Sequence, residues 1–134
     1  MTKTCSLIRF IIGPARVNVS SLAYAVDIAI DLMFVQNIPM DDIMVTKDIY
    51  PAVAKFLKMH SSSAPSIVAV SRRIERLANQ CWDALVSRDL VEEYIGAPIK
   101  DIRAPRDMIF YLAFYVHLNT PFYIAIQRQP ALLF

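Results

Sequence analysis

Glycine occurs only twice in 134 residues, at Gly13 and Gly96. That leaves few positions for the positive-φ turns of β-hairpins, and it excludes a hairpin-rich β fold. Cysteine is equally sparse. Cys5 and Cys81 have no metal-ligand spacing and sit among apolar neighbours, which excludes a zinc-finger or disulfide scaffold. Both read as small buried hydrophobes in a reducing compartment. No uninterrupted apolar run reaches the roughly 18 to 20 residues of a spanning helix, because Asp27 and Asp31 break the longest candidate. The N-terminal stretch breaks at Gly13-Pro14 before any apolar segment of signal-peptide length. A cytoplasmic chain without membrane attachment is expected. A large charge of one sign is also missing: the net charge of +2 excludes a histone-like polycation.

What is abundant is apolar side chain, 56% of the total, enough to fill one core. The length suits a single domain over residues 1–134, with 119–134 a tail that periodicity does not place. Charge is unevenly spread. Residues 46–88 hold seven basic side chains (Lys47, Lys55, Lys58, Arg72, Arg73, Arg76, Arg88) against three acidic ones (Asp48, Glu75, Asp83), whereas each flank carries about −1. Such a local positive field suits a phosphate-facing surface, and a solvated helix face gives the same count.

Periodicity and breakers predict an all-α chain of about six helices. The first spans about Thr4 to Ile12 and ends at Gly13-Pro14. A second runs from a Ser20 or Ser21 cap to about Gln36, stopped by Asn37 and Pro39, with Asp27 and Asp31 on its one wet face. A third lies within Asp41 to Met59, capped by Thr46 or Asp48, with Ile49, Val53, Phe56 and Leu57 inward and Lys47, Lys55 and Lys58 outward. After a serine-rich turn, Ser63 caps and Pro65 opens a fourth helix whose apolar positions (Ile67, Val70, Ile74, Leu77, Cys81 or Trp82, Leu85) continue to about Ser87. A short helix over Leu90 to Ile95 stops at a left-handed Gly96, and a last one over Arg106 to Leu118 is closed by Thr120-Pro121.

The exposed face of the fourth helix presents Arg72, Arg73, Arg76, Asn79, Gln80 and Asp83. Arginine pairs bidentately with guanine, and asparagine or glutamine with adenine, so this set suits a helix-turn-helix reader of double-stranded DNA. Glu75 would accept from cytosine or orient an arginine. Lys47, Lys55 and Lys58 would meet phosphates.

Four motifs carry a family resemblance. Lys47-Asp48-Ile49-Tyr50-Pro51-Ala52-Val53-Ala54-Lys55 resembles the K-x-x-Y-P-x-I-A-K segment of the effector domains of stage zero sporulation protein A, the sporulation transcription factor. Arg73-Ile74-Glu75-Arg76 resembles that family's R-V-E-R, with Ser87-Arg88 at the family's spacing from it. Ile12-Gly13-Pro14-Ala15 is similar to its I-G-x-P-A, and Arg103-Ala104-Pro105 followed by Phe110 to its K-x-K-P and Phe. The resemblance covers about residues 6 to 118. It implies a six-helix domain whose fourth helix enters the major groove, two domains binding tandem short boxes as a homodimer, and base-reading and phosphate-contacting positions at Glu75 and Arg76.

The chain departs from the family in several places. Asn79 and Gln80 replace Arg and His, and Arg106-Asp107-Met108-Ile109 replaces a polar T-N-S-E. About ten extra residues separate Lys55 from Arg73, lengthening either the turn or the front of the helix. In an alternative alignment, Pro65-Ser66-Ile67-Val68 opens that helix and moves the reading face toward Ala69 and Arg72. The family's receiver domain has no counterpart ahead of the first helix, so phosphorylation control is not implied.

Catalysis is not expected. His60 and His117 lie far from either cysteine in sequence, and Asp41-Asp42 and Glu92-Glu93 are adjacent pairs that diverge on a helix. Neither a cofactor, a metal nor a small-molecule substrate is implied. The alternative function is a protein–protein interaction or oligomerisation module. Its motive is the segment from Met108 to Tyr123, which holds six aromatic side chains and reads either as core or as an exposed partner surface.

Overall fold

The computed structural model describes residues 2–13, 17–60, 65–99 and 105–134, and among these the chain is all-α, without strands. Seven α-helices form in order: α1 (Lys3–Ile12), α2 (Ser20–Ile30), α3 (Tyr50–His60), α4 (Ile67–Ser87), α5 (Val91–Ile95), α6 (Arg106–Leu118) and α7 (Phe122–Arg128). The count exceeds the expected six because the tail folds. α7 packs on α6 and α5, and a 3-10 turn, Pro130–Leu132, brings the Leu133 carbonyl within 2.9 Å of the Asp41 amide.

Local signals explain most boundaries. Thr2 caps α1, its side chain accepting from the Cys5 amide at 3.1 Å, and Gly13 ends the helix at φ 99°, while Pro14 lies outside the described residues. The start of α2 differs from expectation. Val19 is its N-cap and makes no side-chain bond; Asn18 instead accepts from the Ser20 amide and hydroxyl at 3.0 and 2.6 Å, so an asparagine two residues upstream does the work expected of serine. α2 widens into a π turn, Asp31–Val35, and stops at Asn37, whose φ of 58° is left-handed. The third helix also begins later than its periodicity implies. A 3-10 turn (Met40–Asp42) and a second π turn (Val45–Ile49) precede it, and Asp48 accepts from the Met44 amide at 2.8 Å. The expected Ser63 cap lies outside the described residues; Ser66 caps α4, with Pro65 just before the cap rather than inside the helix.

α2 is the hub, packed by α1, α3, α4 and α6. Leu22, Ala25, Val26 and Ala29 are fully buried on it, and Thr4 on α1 donates to the Asp27 carboxylate at 2.5 Å. α6 buries Met108, Ile109, Phe110, Tyr111, Leu112, Ala113, Phe114 and Val116. The aromatic segment is therefore core: Phe114 meets Phe34 and Phe122 edge to face, with centroids 5.7 and 5.0 Å apart. Among the described residues no single helix is long and apolar enough to cross a membrane; α6 and α7 are bent by 67° across Asn119–Pro121.

Gly96 ends α5 in the left-handed region (φ 91°, ψ 8°), as its position predicted, and a Cβ there would stand 3.0 Å from Pro121 Cβ. Gly96→Ala should cost about 1–3 kcal/mol, visible as a lowered midpoint in urea unfolding. Cys81 is fully buried, as expected, and burial pushes its thiol from 9.0 up to about 12. Burial also raises Tyr50 and Tyr111. The folded state then holds protons that the unfolded chain releases, so stability is complete below pH 9 and falls as pH rises from there toward 12, a decline that unfolding curves taken across that range should show.

Candidate nucleic-acid interface

α4 is a 21-residue helix, about 31 Å long, with one dry and one wet face. Val70, Ile74, Leu77, Ala78, Cys81 and Leu85, spaced three or four apart, are buried against the core. Opposite them Arg72, Arg73, Arg76, Asn79, Gln80 and Asp83 are all exposed, as the periodicity predicted. Among the described residues none of the three arginines has a carboxylate partner. Guanidinium groups on one helical face that form no ion pair leave their field directed at solvent.

Glu75 is placed differently. It turns into the seam between α3 and α4, partly buried, and accepts from the Tyr50 hydroxyl at 3.3 Å. Tyr50 is itself only 3% exposed; burial first, then the Glu75 charge and their hydrogen bond, raise its hydroxyl. The carboxylate expected to read a base is thus engaged in joining two helices. Period alone marks the shift, since Glu75 sits one residue past buried Ile74, at the margin of the wet face.

The Tyr50 contact also sets the arrangement of the two helices. It ties the first turn of α3 to the third turn of α4, and the chain returns from His60 to Ile67 in six residues, so the end of α3 lies near the start of α4. Lys55 and Lys58 are exposed on one side of α3, and Lys47 is exposed on the π turn before it. Phe56, expected inward, occupies another side: it packs on Tyr24 of α2 at 4.4 Å and on His60 at 4.1 Å, and is 36% exposed. His60, expected in a turn, is the last residue of α3. His117 lies at the edge, exposed and stacked on Phe34 at 4.3 Å.

Arg88, counted with the positive middle of the chain, has a structural task. Its Nη1 donates to the Phe10 and Ile11 carbonyls at 2.9 and 2.8 Å, and its guanidinium lies 5.4 Å from the Phe10 ring centre. It satisfies open carbonyls at the C-terminal end of α1. No local spacing announces a contact across 78 residues. Of the stretch between Lys55 and Arg73, residues 61–64 lie outside the described residues; α4 is capped by Ser66, and Ile67–Arg72 form its front. Asn79 and Gln80 fall in the C-terminal half of this helix. The motif positions Pro14, Ala15 and Arg103 lie outside the described residues.

No protein-family model, curated protein or solved structure matches this chain. Tyr50→Phe should lower stability by about 1 kcal/mol in urea unfolding, the scale of one hydrogen bond. It should leave the wet face of α4 unaltered.

Proposed function

We propose that this chain is a sequence-specific binder of double-stranded DNA and acts as a transcription regulator. In this reading α3 and α4 are the two helices of a helix-turn-helix, α4 entering the major groove while α3 lies across the phosphate backbone. The observation that carries it is the succession of Arg72, Arg73 and Arg76, exposed and without ion pairs among the described residues, on the outer face of a helix whose inner face is fully packed. Lys47, Lys55 and Lys58, exposed on the preceding turn and helix, supply phosphate contacts.

The resemblance to the sporulation effector domains supports the same reading. Its two strongest motifs contribute Tyr50 and Glu75, which meet in the seam between α3 and α4. Arg76 keeps its expected role, Asn79 and Gln80 become outer contacts, and Glu75 becomes the residue that holds α4 against α3. Two such domains on tandem boxes are the assembly this reading implies. The rival reading, an oligomerisation module, drew on the aromatic segment; Phe110 and Phe114 are fully buried and Tyr111 and Phe122 nearly so, which favours core for these four rings, while Tyr115 and Tyr123 are half-buried.

Electrophoretic mobility shift with random-sequence duplexes tests the proposal. Binding should weaken steeply with salt, with a slope of log K on log salt reaching about −5 if all six cations meet phosphates. Arg76→Ala should cost about 1–3 kcal/mol on a selected sequence. No retardation even at about 50 mM salt overturns the reading.

A further inference from the structure

The front of α4 carries a feature that charge does not explain. Its first exposed side chains are apolar: Ile67 is 51% and Val68 59% exposed, and Ala69 is exposed as well. Exposed β-branched residues at the start of a helix gain nothing in propensity and lose by hydration. Ile67 lies toward the packed side, but Val68 does not. At 100° per residue, Val68, Arg72 and Arg76 follow one another at four-residue steps within a sector of about 80°, and Ala69 stands beside that line. Val68 therefore leads the arginines along the face proposed to enter the groove.

The polar groups nearby are already occupied. The Ser66 hydroxyl oxygen accepts from the Ala69 amide at 3.1 Å, and the Ser71 hydroxyl donates to the Ile67 carbonyl at 2.8 Å. The leading turn thus presents methyl groups flanked by unpaired guanidinium groups. In a major groove the one base-edge feature that matches a methyl is the C5-methyl of thymine, while the neighbouring Arg72 matches the O6 and N7 of guanine.

We propose that Val68, with Ala69 beside it, is a specificity-determining contact to a thymine methyl, set next to a guanine read by Arg72. This rests on the DNA-binding reading above. The guanidinium groups of Arg72, Arg73 and Arg76 favour an anionic occupant for this face over a second copy of the chain. The front of the helix, ahead of Arg73, then extends the read sequence by a thymine.

The test uses the full chain and a duplex pool selected from random sequence with the wild-type protein, then resynthesised with deoxyuridine in place of thymidine. Uracil lacks only the C5-methyl, so each lost contact should raise Kd about fourfold, the scale of one buried methyl. Val68→Ala trims the partner by its two γ-methyls at an exposed position, where alanine also favours the helix. In the variant the gap between thymine and uracil pools should shrink, while the salt dependence stays unchanged. That non-additivity isolates the contact from any change in duplex shape. Equal affinity of the wild type for both pools, with salt-dependent binding intact, overturns this inference and leaves DNA binding standing. A Val68→Ala change in sedimentation without a change in the gap overturns it in favour of a protein interface. Failure of any pool to bind removes both readings together.

Discussion

The arrangement depends on how closely α2 and α6 approach. α2 carries Ala23, Ala25 and Ala29, all with essentially no exposure, and its neighbour α6 brings Phe110 and Phe114 into the same core. Small side chains on one helix make room for large ones on another, which is how a dense interior is filled without voids. With α2 enclosed by α1, α3, α4 and α6, α4 can bury only one side. Its other side is left to water along its whole length, and that constraint, more than any single charge, creates the candidate interface.

Where a signal was local, it could be read. Six helices followed from apolar spacing and from Gly13, Asn37, Gly96 and the prolines, because these residues act on the backbone within a turn of themselves. The wet face of α4 was legible for the same reason, as its buried partners repeat every three or four residues. The tail was not, because Phe122 and Ala125 are too few to establish a period and their burial depends on α5 and α6 being in place. The two π turns were equally invisible: an extra residue in a helical turn shifts the register by about 100° without altering composition. Phe56 is only partly covered: it packs on Tyr24 of α2, a tertiary contact that periodicity does not record, and on His60 one turn on in its own helix.

Among the basic residues, sequence separated groups less well than structure does. Arg76 and Arg88 look alike in a charge count, yet one is open to solvent and the other clasps backbone carbonyls of α1. Glu75 and Asp83 differ similarly: the first serves the joint between α3 and α4, and the second remains on the wet face. The positive field of the middle segment is therefore narrower than its composition suggests, and it is centred on the front half of α4.

The Arg88 clasp has an entropic side. Closing a loop of 78 residues carries a cost that grows only with the logarithm of its length. α1 thus completes its last turn on a guanidinium supplied by the far end of α4. Loss of that side chain would open two carbonyls of α1 to water while Ile8 and Ile11 stay packed in the core, so its cost falls on one helix end and spares the α2–α6 packing.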